Sequence, residues 1–187
     1  MRALLSLTAL TALLAFTGCD ERDNPQYGDG PITNDSRALY PEGPYGWAEG
    51  DTMPNWEFVD ADGKRVTMQN LRATTFASTL VLMPSAEWMD ASKSMLRRAV
   101  SLFDLERDDV LMVSAVFEDG RAQAAGADDA VAWQASYEVP WEVIAEPEGQ
   151  FRLAWRDDMR AAVLINLDTM KRLSAAQRPS ISDILWP

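Results

Sequence analysis

Thr79-Leu80-Val81-Leu82-Met83-Pro84-Ser85-Ala86-Glu87-Trp88-Met89-Asp90-Ala91-Ser92 runs from an unbroken apolar segment through a proline into a tryptophan and a polar helix-start pattern. A short continuous apolar run such as Thr79 to Met83 suits a strand covered on both faces. Two more runs of this kind follow, Val110 to Phe117 and Ala161 to Ile165. Between the first two, Met95, Leu96, Ala99, Leu102, Phe103 and Leu105 recur at helical spacing, with Lys93, Arg97, Arg98 and Asp104 facing elsewhere. Between the second and third, Ala130, Trp133 and Tyr137 mark a shorter helix behind the pair Asp128-Asp129, which suits a positive helix start. Ser180 to Trp186 carries a short candidate helix at the C-terminus. Strands that alternate with helices and have apolar centres predict a layered α/β domain with a largely buried sheet.

Upstream, Met1-Arg2-Ala3-Leu4-Leu5 opens a low-polarity run to Phe16 that ends in Thr17-Gly18-Cys19. One positive charge, an apolar stretch too short to span a bilayer and small residues at its end form the pattern of an export signal. Phe16-Thr17-Gly18-Cys19 resembles the lipobox of bacterial lipoproteins, with Phe16 where an aliphatic residue is usual. The resemblance implies removal of residues 1–18 and acylation of Cys19, the chain's single cysteine. Several acyl chains, at about 0.8 kcal/mol per buried methylene, make such an anchor essentially permanent. Asp20 directly after it resembles an inner-membrane retention signal of enteric bacteria, a rule that is not general, so inner and outer membrane both stay open.

Residues 20–46 are rich in Gly, Pro, Asn and Asp and read as a flexible tether, roughly 30 Å in average reach. The expected organisation is therefore a signal peptide at 1–18, a tether at 19–46 and one folded domain at 47–187. That places the protein in the cell envelope, lipid-anchored and facing the periplasm or the exterior.

Among charged side chains, removing residues 1–18 takes away only Arg2, which leaves 16 basic against 29 acidic residues. Such an excess argues against nucleic acid and anionic membrane surfaces as partners. The chain has no histidine, so the commonest general base and the commonest transition-metal ligand are both missing.

Gly50-Asp51-Thr52-Met53-Pro54-Asn55-Trp56-Glu57-Phe58, then Asp62-Gly63-Lys64-Arg65-Val66-Thr67-Met68 and Leu71-Arg72, is similar to the opening of thioredoxin-like redoxins, the branch containing peroxiredoxins and membrane-tethered thiol-disulfide reductases. Leu80 to Trp88 resembles the strand entering the family's Trp-Cys-x-x-Cys turn. Val139-Pro140-Trp141-Glu142-Val143-Ile144 and Val163-Leu164-Ile165-Asn166 resemble later strands, so the likeness covers about residues 48–174. It implies a thioredoxin-like three-layer α/β sandwich, a central mixed sheet with helices on both faces.

The same resemblance locates what is missing. The family's nucleophilic cysteine falls on Met89 and its resolving cysteine on Ser92; its cis-proline falls by register on Arg160, where a cis bond would cost about 2.5–4 kcal/mol. A thioether forms no thiolate and a hydroxyl forms no disulfide, so neither thiol-disulfide exchange nor peroxide reduction is available to these residues. Ser92 as a nucleophile would need Asp90, Lys93 or Glu87 as its base, and Asp90 reads better as a helix N-cap. Met83, Met89 and Met95 read as core filling rather than a copper site. The pairs Asp108-Asp109, Asp128-Asp129 and Asp157-Asp158 read as turns or caps rather than calcium ligands.

The expectation is a non-enzymatic module with no metal and no cofactor, held at a membrane by lipid and binding an envelope protein or peptide. Trp88, Met89, Asp90, Ser92 and Arg160 would form its rim. Two alternatives stand beside it: a redoxin-pathway enzyme acting with a partner's thiols, and a structural envelope lipoprotein without a discrete site.

Overall fold

A computed structural model describes residues 37–103, 108–155 and 162–173. Cys19, Arg160, the pair Asp157-Asp158 and the candidate helix Ser180 to Trp186 lie outside the described residues. The elements are β1 (Glu57–Val59), β2 (Arg65–Thr67), α1 (Met68–Ala73), β3 (Thr79–Ala86), α2 (Asp90–Leu102), β4 (Val110–Glu118), α3 (Ala127–Tyr137), β5 (Glu142–Ala145), α4 (Gln150–Trp155), β6 (Val163–Asn166) and β7 (Lys171–Arg172).

They build one mixed sheet of seven strands in the order β2-β1-β5-β4-β3-β6-β7. At its centre β3, β4 and β5 run parallel, joined through α2 and α3. β1 is antiparallel to β5 and β6 is antiparallel to β3. Period-two alternation sorts the core by face. Leu80, Leu82, Leu111, Val113, Ala115, Ile144 and Ile165 pack with Met68 and Leu71 of α1 and Phe151 of α4. Val81, Met83, Met112, Val143, Ala145 and Leu164 pack with Leu96 and Ala99 of α2 and Ala130 and Trp133 of α3. Helices therefore cover both faces, the three-layer arrangement expected from the sequence.

Local chemistry explains the boundaries. The turn between β1 and β2 is closed by Asp60 Oδ1, which accepts from the Asp62 and Lys64 amides at 2.9 and 2.8 Å, and Gly63 takes the left-handed φ of 77° that the turn requires. Thr67 caps α1 through a reciprocal pair with Asn70. At α3 the Asp129 carboxylate accepts from the Gly126 amide at 2.8 Å, the cap role expected of that acidic pair. Pro84 lies in β3 beyond Leu82, where pairing with β6 stops, so its missing N–H breaks no ladder there. Trp141 is fully buried, and its indole N–H donates to Ser114 Oγ at 3.0 Å.

The expected tether boundary at residue 46 moves upstream. Arg37 is buried and donates to the Thr75 and Ala77 carbonyls at 2.9 and 2.8 Å and to Asp168. Arg72, also buried, donates to the carbonyls of Arg37 and Leu39, both at 2.7 Å, and to that of Leu167 at 2.9 Å. Two guanidiniums, each with several fixed donors, thus hold residues 37–39 on the domain. Further on, Gly50 donates to the Arg172 carbonyl and Arg172 back to Asp51, so the entry segment covers the outer edge of β7. Among the described residues no helix is long and apolar enough to cross a membrane.

Candidate functional site

The carboxyl ends of β3, β4 and β5 meet the start of α2 at one end of the sheet. The link from β3 to α2 is a tight turn in which the Met89 amide donates to the Ala86 carbonyl at 2.9 Å and the Glu87 amide to the Glu118 carbonyl at 3.1 Å. The Met89 carbonyl then accepts from the Lys93 amide, which starts the helix. Met89 therefore holds the N-cap position, with no side-chain cap, and Asp90 is the first helical residue rather than the cap expected from the sequence. Its carboxylate is almost fully exposed and 3.6 Å from Lys93 Nζ, placed favourably near the positive helix end.

At the two positions where the resemblance puts cysteines, the side chains point inward. Met89 is 5% exposed and belongs to the core cluster of β3, β4 and α4. Ser92 is 3% exposed, with its Oγ 3.5 Å from the Pro84 carbonyl oxygen and 3.8 Å from Met89 Sδ. A redox turn presents its nucleophile to solvent; here that place is filled with packed thioether and a satisfied hydroxyl. Met89 and Ser92 thus underlie the surface instead of forming a rim. Asp90, one of the three candidate bases weighed for Ser92, reaches into solvent and pairs with Lys93.

Trp88 is the exposed member of the turn, with 48% of its surface accessible. Its indole N–H donates to Glu118 Oε2 at 2.7 Å. Glu118 ends β4 and is 4% exposed. Its other oxygen, Oε1, lies 2.6 Å from Arg152 Nε of α4 as an ion pair without hydrogen-bond alignment. Trp88, Glu118 and Arg152 thus link β3, β4 and α4 across the end of the sheet.

Below them, fully buried Glu146 closes β5. Its carboxylate accepts from the Glu148 and Phe151 amides at 2.8 and 3.1 Å, which caps the entry to α4. Burial pushes its pKa above the ordinary carboxylate range, against the opposing pull of those amides.

Of the residues expected at the site, Trp88, Met89, Asp90 and Ser92 come together on this turn. Glu118, Arg152 and Glu146 were missed. One signal was present: Glu118 is a charge placed directly after an eight-residue run, 110–117, whose single polar member is Ser114. Arg152 and Glu146 reach the site only through the topology.

No family model matches the chain, and no curated protein sequence matches it. Among solved structures, it is similar to a candidate protein disulfide isomerase from Bacteroides thetaiotaomicron at a TM-score of 0.53 and 17% identity, covering 74% of this chain and 86% of that one. It is similar to an uncharacterized thioredoxin-like protein from Porphyromonas gingivalis at a TM-score of 0.51 and 10% identity, covering 74% and 90%. At these identities the likeness speaks for architecture alone. The chain has a thioredoxin-like fold and carries Met89 and Ser92 where the sequence resemblance places the two cysteines.

Proposed function

We propose that this protein is a lipid-anchored envelope module whose thioredoxin-like domain has lost thiol chemistry and binds a protein or peptide at the Trp88 end of the sheet. The observation that carries this reading is the contrast within one turn. Met89 and Ser92 are packed as core, while Trp88 between them and Glu118 stays half-exposed and is held in place by a buried carboxylate. A large aromatic ring kept on the surface at low entropic cost is the kind of anchor that recognition sites use.

The anchor rests on the resemblance of Phe16 to Cys19 to a lipobox. Arg37 supports a consistent orientation. It is docked beside Ala77, just before β3 begins, whereas Trp88 follows the end of β3. The eight residues of β3 span about 25 Å, so a chain tethered ahead of Arg37 would present Trp88 away from the lipid.

A photoreactive amino acid at exposed Asp90, compared with one at exposed Leu39 near the docked N-terminus, tests the reading in cells. A defined cross-linked partner from Asp90 that is lost in Trp88→Ala is expected; equal labelling from both positions contradicts it. Cys19→Ala should move the protein from the membrane to the soluble fraction, and continued membrane association would remove the anchor from the proposal.

A further inference from the structure

Leu39 and Phe76 are among the most exposed large apolar side chains of the described residues, with 84% and 74% of their surface accessible. Single exposed apolar residues are ordinary. These two are set apart by how their backbone is held. The Arg37 guanidinium donates to the carbonyls of Thr75 and Ala77, on either side of Phe76, and Arg72 donates to the carbonyl of Leu39. Both arginines are buried, so the fold fixes these two segments while their apolar side chains stay in solvent.

This end of the sheet is also where the chain arrives from Cys19. The loop holding Phe76 leads into β3; the Ser78 amide donates to the Asp109 carbonyl ahead of β4, and the Leu167 amide donates to the Ser78 carbonyl after β6. Docking at Arg37 leaves only 18 residues, 19–36, ahead of the folded part. As a coil, that length averages roughly 21–25 Å, less than the roughly 30 Å of a tether running to residue 46. The exposed charges around this end have both signs, Asp108 and Asp168 against Lys171, and Asp168 pairs with Arg37. Such a rim suits zwitterionic headgroups around an apolar contact.

We propose that Leu39 and Phe76 enter the headgroup–acyl boundary of the phospholipid bilayer that holds Cys19, so that the domain rests on its own membrane by this end. The proposal rests on the lipid-anchor reading above and adds a contact made by the folded domain itself. A tether keeps the domain at high effective concentration beside the surface, so a contact too weak to hold a free protein suffices. Each apolar side chain buried there favours the resting domain over the freely tethered one by about tenfold.

The mature chain, coupled through the thiol of Cys19, its single cysteine, to a maleimide-bearing lipid in phosphatidylcholine vesicles, tests the contact whether or not cells acylate that residue. A photoreactive amino acid is placed in turn at the exposed positions Leu39, Phe76 and Asp90. Phospholipid adducts from positions 39 and 76 at least about tenfold above those from position 90 are expected. With the probe at exposed Ser78, Leu39→Ser combined with Phe76→Ser should lower the lipid adduct yield by about tenfold, with the fold intact by circular dichroism. Equal yields from all three positions overturn the proposal. So do adducts from 39 and 76 to the chain itself in place of lipid, or a yield at 78 that the double substitution leaves unchanged. Fractionation of Cys19→Ala in cells tests the anchor separately.

Discussion

The Trp88 indole N–H donates to Glu118 Oε2 at 2.7 Å, which fastens the turn after β3 to the last residue of β4. The acceptor is buried and charged, and its second oxygen faces Arg152. A half-exposed tryptophan is thereby fixed in one position where a free side chain would sample several.

Glu118→Ala should destabilise the domain by about 1–3 kcal/mol, because it removes a charge-assisted acceptor and leaves the Trp88 donor without its partner. Urea unfolding measures the loss. The emission of Trp88, isolated as the difference from Trp88→Phe, should shift to the red as the ring is released. An unchanged spectrum would mean that Glu118 does not position Trp88.

Met89→Ala and Trp88→Ala should differ although the residues are neighbours. Met89 is core, and truncation costs about 2–5 kcal/mol. Trp88 is half in solvent, and its loss should cost about 1 kcal/mol from the hydrogen bond it makes. Equal stability losses by denaturant titration would contradict the inward placement of Met89.

Glu146 gives a pH dependence whose sign follows from its raised pKa in the folded state. Between the ordinary carboxylate range and that raised value, folded Glu146 keeps a proton that unfolded Glu146 has lost. The folded state then binds more protons, so its stability falls as pH rises through this window. The unfolding free energy of wild type minus that of Glu146→Gln should therefore decline as pH rises above the ordinary carboxylate range. A level or rising difference would show that the amides of Glu148 and Phe151 outweigh burial.

Arg72→Lys keeps the charge and loses the fork that reaches the carbonyls of Arg37, Leu39 and Leu167. A loss of about 1–3 kcal/mol is expected. Limited proteolysis should cut faster between residues 37 and 40, and an unchanged cleavage rate would mean that Arg72 does not hold that segment.

The architecture was legible where burial writes itself into composition. Val110 to Phe117 is apolar but for Ser114, which accepts from the Trp141 indole, because β4 has neighbours on both edges and helices on both faces. The short helices were not legible. α4 has six residues, too few for a helical period, and its cap comes from Glu146 outside it. At α1 the only local cue is the reciprocal cap of Thr67 and Asn70. Arg37 lay in a stretch of tether-like composition, and its partners are mostly backbone carbonyls, which no side-chain pattern encodes. At the site, the two positions that deny thiol chemistry were identified through the resemblance of the turn, whereas the inward packing of Met89 depends on residues distant in sequence, such as Phe117 and Phe151.

Loss of thiol chemistry from a thioredoxin-like scaffold is measured by the rate of disulfide reduction by the purified mature protein, with insulin as substrate and a thiol reductant. A rate equal to that of a boiled control is expected. A rate above that control, abolished by Ser92→Ala or Met89→Leu, would contradict it.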